Sequence, residues 1–172
     1  ENRVALNYYG AGRLSLTLSS GNRLTIEQKT QYPVSGEVKI TLHIERAEAF
    51  RLSLRIPRWS RKTEVCVNGE TFSAQPGSYC DLERIWKEGD TIALRFDMSL
   101  RLWVGEAECA GKVSLYHGPL LLAYDPRFDA YSVDDIPEID LSLPIKRVTY
   151  TGAEPSPMLL LSFATKTGGR IV

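Results

Sequence analysis

The sequence is short of the residues that usually mark a catalytic or metal centre. It holds two histidines and three cysteines in 172 residues. Cys66, Cys80 and Cys109 are too few and too scattered for a disulfide framework. None forms a C-x-x-C pair or has a His close by, which argues against a zinc site. They read as three reduced, mostly buried thiols, with a Cys66–Cys80 bridge as the alternative. No G-x-S-x-G motif accompanies the two histidines, so a Ser-His-Asp apparatus has little support. Charge of one sign is also missing. Lys plus Arg and Asp plus Glu both number 21, which gives no long-range attraction to nucleic acid or to an anionic membrane. No apolar run approaches the roughly 20 residues that span a bilayer, and the chain begins Glu1-Asn2-Arg3, with no initiator Met and no signal-peptide core. Such a start is expected of a processed chain or of a piece of something longer, and leaves a cytoplasmic or a periplasmic location open. Helical periodicity, repeats and low-complexity segments are absent or nearly so.

Period two is abundant. Leucines alternate with polar residues in Arg13-Leu14-Ser15-Leu16-Thr17-Leu18, the pattern of a half-buried strand. After a turn at Gly21-Asn22 the alternation resumes in Leu24-Thr25-Ile26-Glu27. Val38 to Glu45 places four aliphatic residues on one side and Lys39, Thr41, His43 and Glu45 on the other. Phe50 to Ile56 repeats the pattern and stops at Pro57, which cannot donate to a sheet ladder. Glu64 to Val67 runs into Asn68-Gly69, a hairpin signal because both residues tolerate positive φ. Further strands are expected at Tyr79–Leu82, Thr91–Phe96, Leu100–Val104, Lys112–Tyr116, Leu120–Tyr124, Lys146–Tyr150 and Met158–Ala164. Glu45 to Phe50 has room for a single helical turn. Many short strands separated by turns predict an all-β fold, an antiparallel β-sandwich of jelly-roll type with little or no helix. The length suits one domain over 1–172, with an acidic loop at 125–140 and a strand-like tail at 141–172.

The candidate sites have competing structural readings. His43 reads as a solvated surface group and His117, before Gly118-Pro119, as a turn or packing residue. The acidic loop, with Asp125, Asp129, Asp134, Asp135, Glu138 and Asp140, has oxygens suited to calcium but lacks the D-x-D-x-D-G spacing. No carboxylate pair stands out for glycoside cleavage. Trp59 and Trp103 are the candidate substrate-binding residues, because aromatic faces stack on sugar rings. The alternative is packing, which is the reading for Trp86. Arg55, Arg58, Arg61 and Lys62 read either as an anion site or as a solvated rim with salt bridges to a neighbouring domain.

The order of several weak motifs is more specific than any one of them. "TQYPVSGEVKITL" (Thr30–Leu42), "FRLSLRIPRWS" (Phe50–Ser60), "VCVNGE" (Val65–Glu70), "YCDLERIWKEGDTIALRF" (Tyr79–Phe96) and "VSLYHGPLLLAYD" (Val113–Asp125) follow in sequence. Together they resemble the C-terminal β-sandwich region of glycoside hydrolase family 127, the β-L-arabinofuranosidase family, whose pattern is T-x-Y-P, L-R-I-P-x-W, V-N-G, R-x-W-x-x-G-D and G-P-L. The resemblance covers Val4 to Asp125; Arg58 replaces the small residue usual after the Pro of the R-I-P motif. It implies that the chemistry lies in an (α/α)6 barrel upstream in the same protein, where a zinc-bound cysteine and a glutamate act. The adjacent Cys pair of that barrel does not occur here. The resemblance therefore assigns no catalytic residue, metal ligand or cofactor to this chain, and zinc is expected only in the catalytic domain.

Three functions follow as expectations. The first is a non-catalytic domain of a bacterial glycoside hydrolase that packs against the barrel. The second is a carbohydrate-binding module for arabinose-containing glycans, using Trp59 or Trp103. The third, an enzyme in its own right, lacks a convergent nucleophile and base. An accessory domain should expose an apolar patch larger than monomers usually carry, whereas a binding module should show a groove of coplanar rings.

Overall fold

The computed structural model describes residues 2–129, 131–132, 135–152 and 159–172. It divides into two compact units, Glu1–Leu121 and Leu122–Val172. The first carries β1 (Arg3–Leu6), β2 (Gly12–Thr17), β3 (Arg23–Thr30), β4 (Glu37–Ile44), β5 (Glu48–Arg55), β6 (Glu64–Val67), β7 (Glu70–Phe72), β8 (Tyr79–Trp86), β9 (Thr91–Arg95), β10 (Leu100–Val104) and β11 (Val113–His117). β12 (Leu120–Leu122) follows β11 at the boundary. Among the described residues the helical content is one 3-10 turn at Ala107–Cys109.

The alternation read from the sequence becomes two facing sheets. One has six strands in the order β2-β3-β4-β9-β6-β7 and the other three in the order β1-β5-β8. Val38, Ile40, Leu42 and Ile44 of β4 point inward with Leu24, Ile26, Val65, Val67, Ile92 and Leu94 from its own sheet. Phe50, Leu52, Leu54, Leu82 and Trp86 meet them from the other sheet. The expected inward set Ile40, Leu42, Ile44, Leu52, Leu54 and Ile56 is buried throughout. Trp86 is fully buried and its indole N–H donates to the Phe50 carbonyl at 3.1 Å, so its one polar atom is satisfied.

Local departures have physical causes. Glu45 to Phe50 forms no helical turn, because Glu48, Ala49 and Phe50 pair with Trp86, Ile85 and Arg84 of β8. β2 is an edge strand, and Leu14 on it is exposed rather than half-buried. β1 pairs parallel to β5, with Arg3 opposite Arg51 and Leu6 opposite Leu54, while the other pairings of both large sheets are antiparallel. The thiols are free and less buried than expected: Cys80 is buried, Cys66 half-buried and Cys109 exposed. Cys66 alternates with the inward Val65 and Val67 and so faces away from the core, whereas Cys80 points into it, which rules out their bridge.

A polar cluster holds β1, the β2–β3 turn and the start of β5 together. The Glu48 carboxylate accepts bonds from Asn2 at 2.7 Å, Ser20 at 2.7 Å and Asn22 at 2.9 Å. Those donors, Ser20 first, hold its pKa below the usual carboxylate value.

In the second unit, β13 (Lys146–Arg147), β14 (Leu161–Ala164) and β15 (Arg170–Ile171) form a small antiparallel sheet. Phe163, Ala164 and Ile171 are buried there. Met158, expected to open a strand, and Asp134 of the acidic loop lie outside the described residues.

Two expectations follow from the packing. Leu42→Ala or Leu54→Ala, each at a fully buried position, should cost about 2–5 kcal/mol in urea unfolding. At the β6–β7 hairpin Asn68 has φ 51° and Gly69 φ 90°. Gly69→Val should lower stability by about 1–2 kcal/mol, since a β-branched side chain resists that backbone. Near-neutral results would mean that the hairpin or the facing of β4 and β5 is wrong.

Candidate functional site

The two candidate sugar-stacking residues lie on different elements, and no ring contact joins them among the described residues. Trp59 follows Pro57 in the turn after β5 and is half-buried. Its ring centroid is 5.8 Å from that of Phe96, which also meets Tyr9 at 5.0 Å and Tyr32 at 5.9 Å. The next residue, Ser60, is buried and its hydroxyl accepts the Asp97 N–H at 2.9 Å, tying the turn to the end of β9. The Leu54–Ser60 stretch is thus a joint of the scaffold. Arg55, Arg58, Arg61 and Lys62 around it are exposed. The Asp97 carboxyl is held below its usual range chiefly by Ser99, with smaller help from Lys62 and Arg61.

Trp103, by contrast, is 70% exposed. It belongs to a small three-stranded sheet in the order β10-β11-β12, whose β10–β11 ribbon pairs Leu100 with His117, Leu102 with Leu115 and Val104 with Val113. These pairs share one face. Arg101 and Tyr116, and Trp103 and Ser114, share the other, where the Arg101 guanidinium sits 5.2 Å from the Tyr116 ring centroid. On the first face Leu102, Val104 and Val113 are at least half exposed; on the second, Trp103 is. Gly118 ends β11 with φ 53°, and its carbonyl accepts a bond from Arg101 at 2.9 Å. A Cβ there would displace the end of the flexible Met98 side chain, and it is the positive φ that favours glycine at this turn. At the tip, Glu106, Glu108, Cys109 and Lys112 are exposed. The sequence reading had a strand at Leu100–Val104 but not its two-sided exposure. The signal was the run Leu102-Trp103-Val104, which breaks the alternation of a half-buried strand.

The outer face of the six-stranded sheet forms a concave trough of about 790 Å³. Across it Lys39, Ala93 and Cys66 lie in one row, and Glu37, Arg95 and Glu64 in the next. Arg95 pairs with Glu37 at 3.3 Å and Glu64 at 3.8 Å. No aromatic ring lines the trough, so it lacks a sugar-stacking platform.

On the same sheet His43 is bracketed by two acids: Nδ1 lies 2.8 Å from Glu88 and Nε2 lies 3.2 Å from Glu27. The other Glu88 oxygen accepts the Ile44 N–H at 2.7 Å. Glu88, then Glu27, raises the His43 pKa above its ordinary 6.5, while both carboxyls are lowered.

Four acids of the 125–140 segment are engaged separately. Asp125 pairs with Arg127 at 2.9 Å, Glu138 with Lys166, Asp129 with the Val172 N–H at 2.5 Å, and Asp140 with Ser142. Among the described residues no three His, Cys, Asp or Glu side chains converge to hold a metal ion. The cysteines, one facing outward, one in the core and one at the ribbon tip, do not make a zinc donor set.

Residues 3–98 match the family model of the β-L-arabinofuranosidase GH127 middle domain. The match is thus to a middle domain, where the sequence reading had a C-terminal region. A non-reducing end β-L-arabinofuranosidase of Bifidobacterium longum subsp. longum is 33% identical over 116 residues, which is 61% of this chain and 17% of that protein. Among solved structures, a glycoside hydrolase aligns with TM-score 0.76 and 30% identity over 92% of this chain and 27% of its own. A GH127 β-L-arabinofuranosidase from Geobacillus stearothermophilus T6 aligns with TM-score 0.74 and 25% identity, over 94% of this chain and 26% of its own. The chain therefore spans about a quarter or less of the relatives it matches.

The His43 bracket makes stability depend on pH in a definite direction. Its raised folded pKa means that its contribution is fully present below the unfolded value of 6.5 and is lost as pH rises through the folded value. The lowered pKa values of Glu27 and Glu88 contribute above their unfolded value of 4.5 and are lost as pH falls through the folded ones. The urea midpoint should thus fall between about pH 6 and pH 8, and His43→Gln should flatten that step. An unchanged step in His43→Gln would refute the assignment.

Proposed function

The chain belongs to glycoside hydrolase family 127, and we propose that within it the chain is a non-catalytic β-sandwich domain that packs against the catalytic part of a longer protein and stabilises it. The observation that carries this reading is the apolar surface of the β10–β11 ribbon, where Leu102, Trp103, Val104 and Val113 stand in water. Large apolar side chains exposed together on one short element point to a surface that another part of a protein covers. The match to a middle domain and the small share of each relative that the chain spans give the patch a neighbour: the rest of the same polypeptide. In this reading the neighbour is an upstream (α/α)6 barrel that holds the zinc and acts on β-L-arabinofuranosides, and this domain follows it.

The chain's own residues fit a structural role. His43, Glu27, Glu88 and Asp81 are engaged in contacts that fix strands rather than in a shared cavity. Glycoside cleavage needs an acid and a nucleophile or base held several ångströms apart on a bound sugar.

The isolated chain should therefore show no turnover of aryl β-L-arabinofuranosides, with or without added zinc, while the longer protein should hydrolyse them. Turnover by the chain that survives repurification and vanishes when one carboxylate is replaced would overturn the proposal.

A further inference from the structure

We propose that the β10–β11 ribbon is a wedge: its stem enters a two-walled apolar cleft in the catalytic part of the same polypeptide, and its charged tip emerges into water. This rests on the accessory-domain reading and adds the geometry of the contact.

The argument starts from the pleat. Residues directly opposite on an antiparallel pair share a face, so Leu102, Val104 and Val113 lie on one side of the ribbon and Trp103 on the other, beside Ser114 and the stacked pair Arg101 and Tyr116. Both sides are exposed: Val104 at 63% and Val113 at 55% on the first, Trp103 at 70% on the second. A flat partner covers one side of a ribbon and would leave either the aliphatic face or the indole in water. Only walls on both sides bury both. The tip has the opposite chemistry, since Glu106, Glu108 and Lys112 are exposed and would carry a desolvation cost inside an apolar cleft. The stem is accordingly the buried part.

The choice of occupant follows from length. The chain makes up 27% and 26% of the two solved relatives, so most of the polypeptide is covalently attached and outside this domain. A tethered neighbour acts at an effective concentration of around millimolar, which outcompetes a second copy in dilute solution.

The chain supplies its own control. Cys109 at the tip is exposed, whereas Cys80 is buried and Cys66 half-buried. Trp103→Cys and Val104→Cys would be placed separately in the 172-residue chain and in the longer protein that contains it. Maleimide labelling is then read peptide by peptide in the mass spectrometer. The expected result is that labelling at both positions slows by at least about tenfold in the longer protein, as for sites reached only by local opening, while Cys109 labels equally in both. Protection at only one position would mean flat docking, and protection at neither would mean no docking; each overturns the proposal. Protection in the 172-residue chain alone that grows with concentration would assign the ribbon to self-association and also overturn it.

Hydrogen exchange of the Leu102–Val104 and Val113–Leu115 segments in the unsubstituted proteins gives the same comparison if a cysteine variant fails to fold. Arabinofuranosidase activity of the longer protein is assayed in parallel. Activity without protection sinks the wedge alone. Protection without activity leaves the wedge standing and sinks the arabinofuranosidase reading.

Discussion

The dry layer between the two large sheets is the constraint on which the first unit depends. β4 sits between β3 and β9 and contributes Val38, Ile40, Leu42 and Ile44 to it. Side chains repeat every two residues along a strand, so a one-residue slip of β4 would send all four to solvent and bring Lys39, Thr41 and His43 inward. That penalty fixes the pairings of β4 with both neighbours. It also makes the outer faces polar, because each sheet has one side to bury. Those faces are stitched by short cross-strand contacts instead: His43 with Glu27 and Glu88, Arg95 with Glu37 and Glu64, and Ser53 with Asp81 at 2.5 Å. Exposed ion pairs of this sort add little each; their effect is on register more than on total stability.

The layer also explains why the tryptophans differ in role. Trp86 is at the end of β8, the third strand of the smaller sheet, and its indole caps the layer while bonding the neighbouring strand. Trp59 closes another part of the core through Phe96, which leaves its ring shared with protein atoms. Among the described residues Trp103 has no such ring neighbour, because its sheet, β10-β11-β12, is separate from both large sheets. The buried cluster of the first unit contains no residue of β10 or β11.

The strands of the sandwich were legible because burying one face of a sheet writes period two directly into the chain. β4, β5, β6 and β9 fall where alternation and turn residues put them, β3 and β8 run on past the expected ends at Glu27 and Leu82 to Thr30 and Trp86, and Asn68-Gly69 adopts positive φ at both positions. What the alternation could not convey was edge status: Leu14 follows the same pattern as Leu42, yet on β2 it is exposed. The parallel pairing of β1 was illegible for a related reason, since four residues carry no mark of their partner's direction. The Glu48 cluster was missed because Asn2, Ser20 and Asn22 are ordinary polar residues until the fold brings them within reach. At the candidate site, singling out Trp103 found one residue of the ribbon through its type. Its neighbours Leu102, Val104 and Val113 have no chemistry to draw the eye, and only pairing places them.

A neutral protein with equal numbers of cations and anions has weak long-range steering. Recognition of a separate partner would then rest on short-range apolar contact and would have to offset the full cost of association. A ribbon with four large side chains in water is a small surface for that task. Covalent connection changes the balance, because a tether removes most of the translational cost and leaves the local burial as net gain. Under the proposed docking, the same tether lets an apolar surface persist without driving aggregation, because it is covered once the neighbour folds.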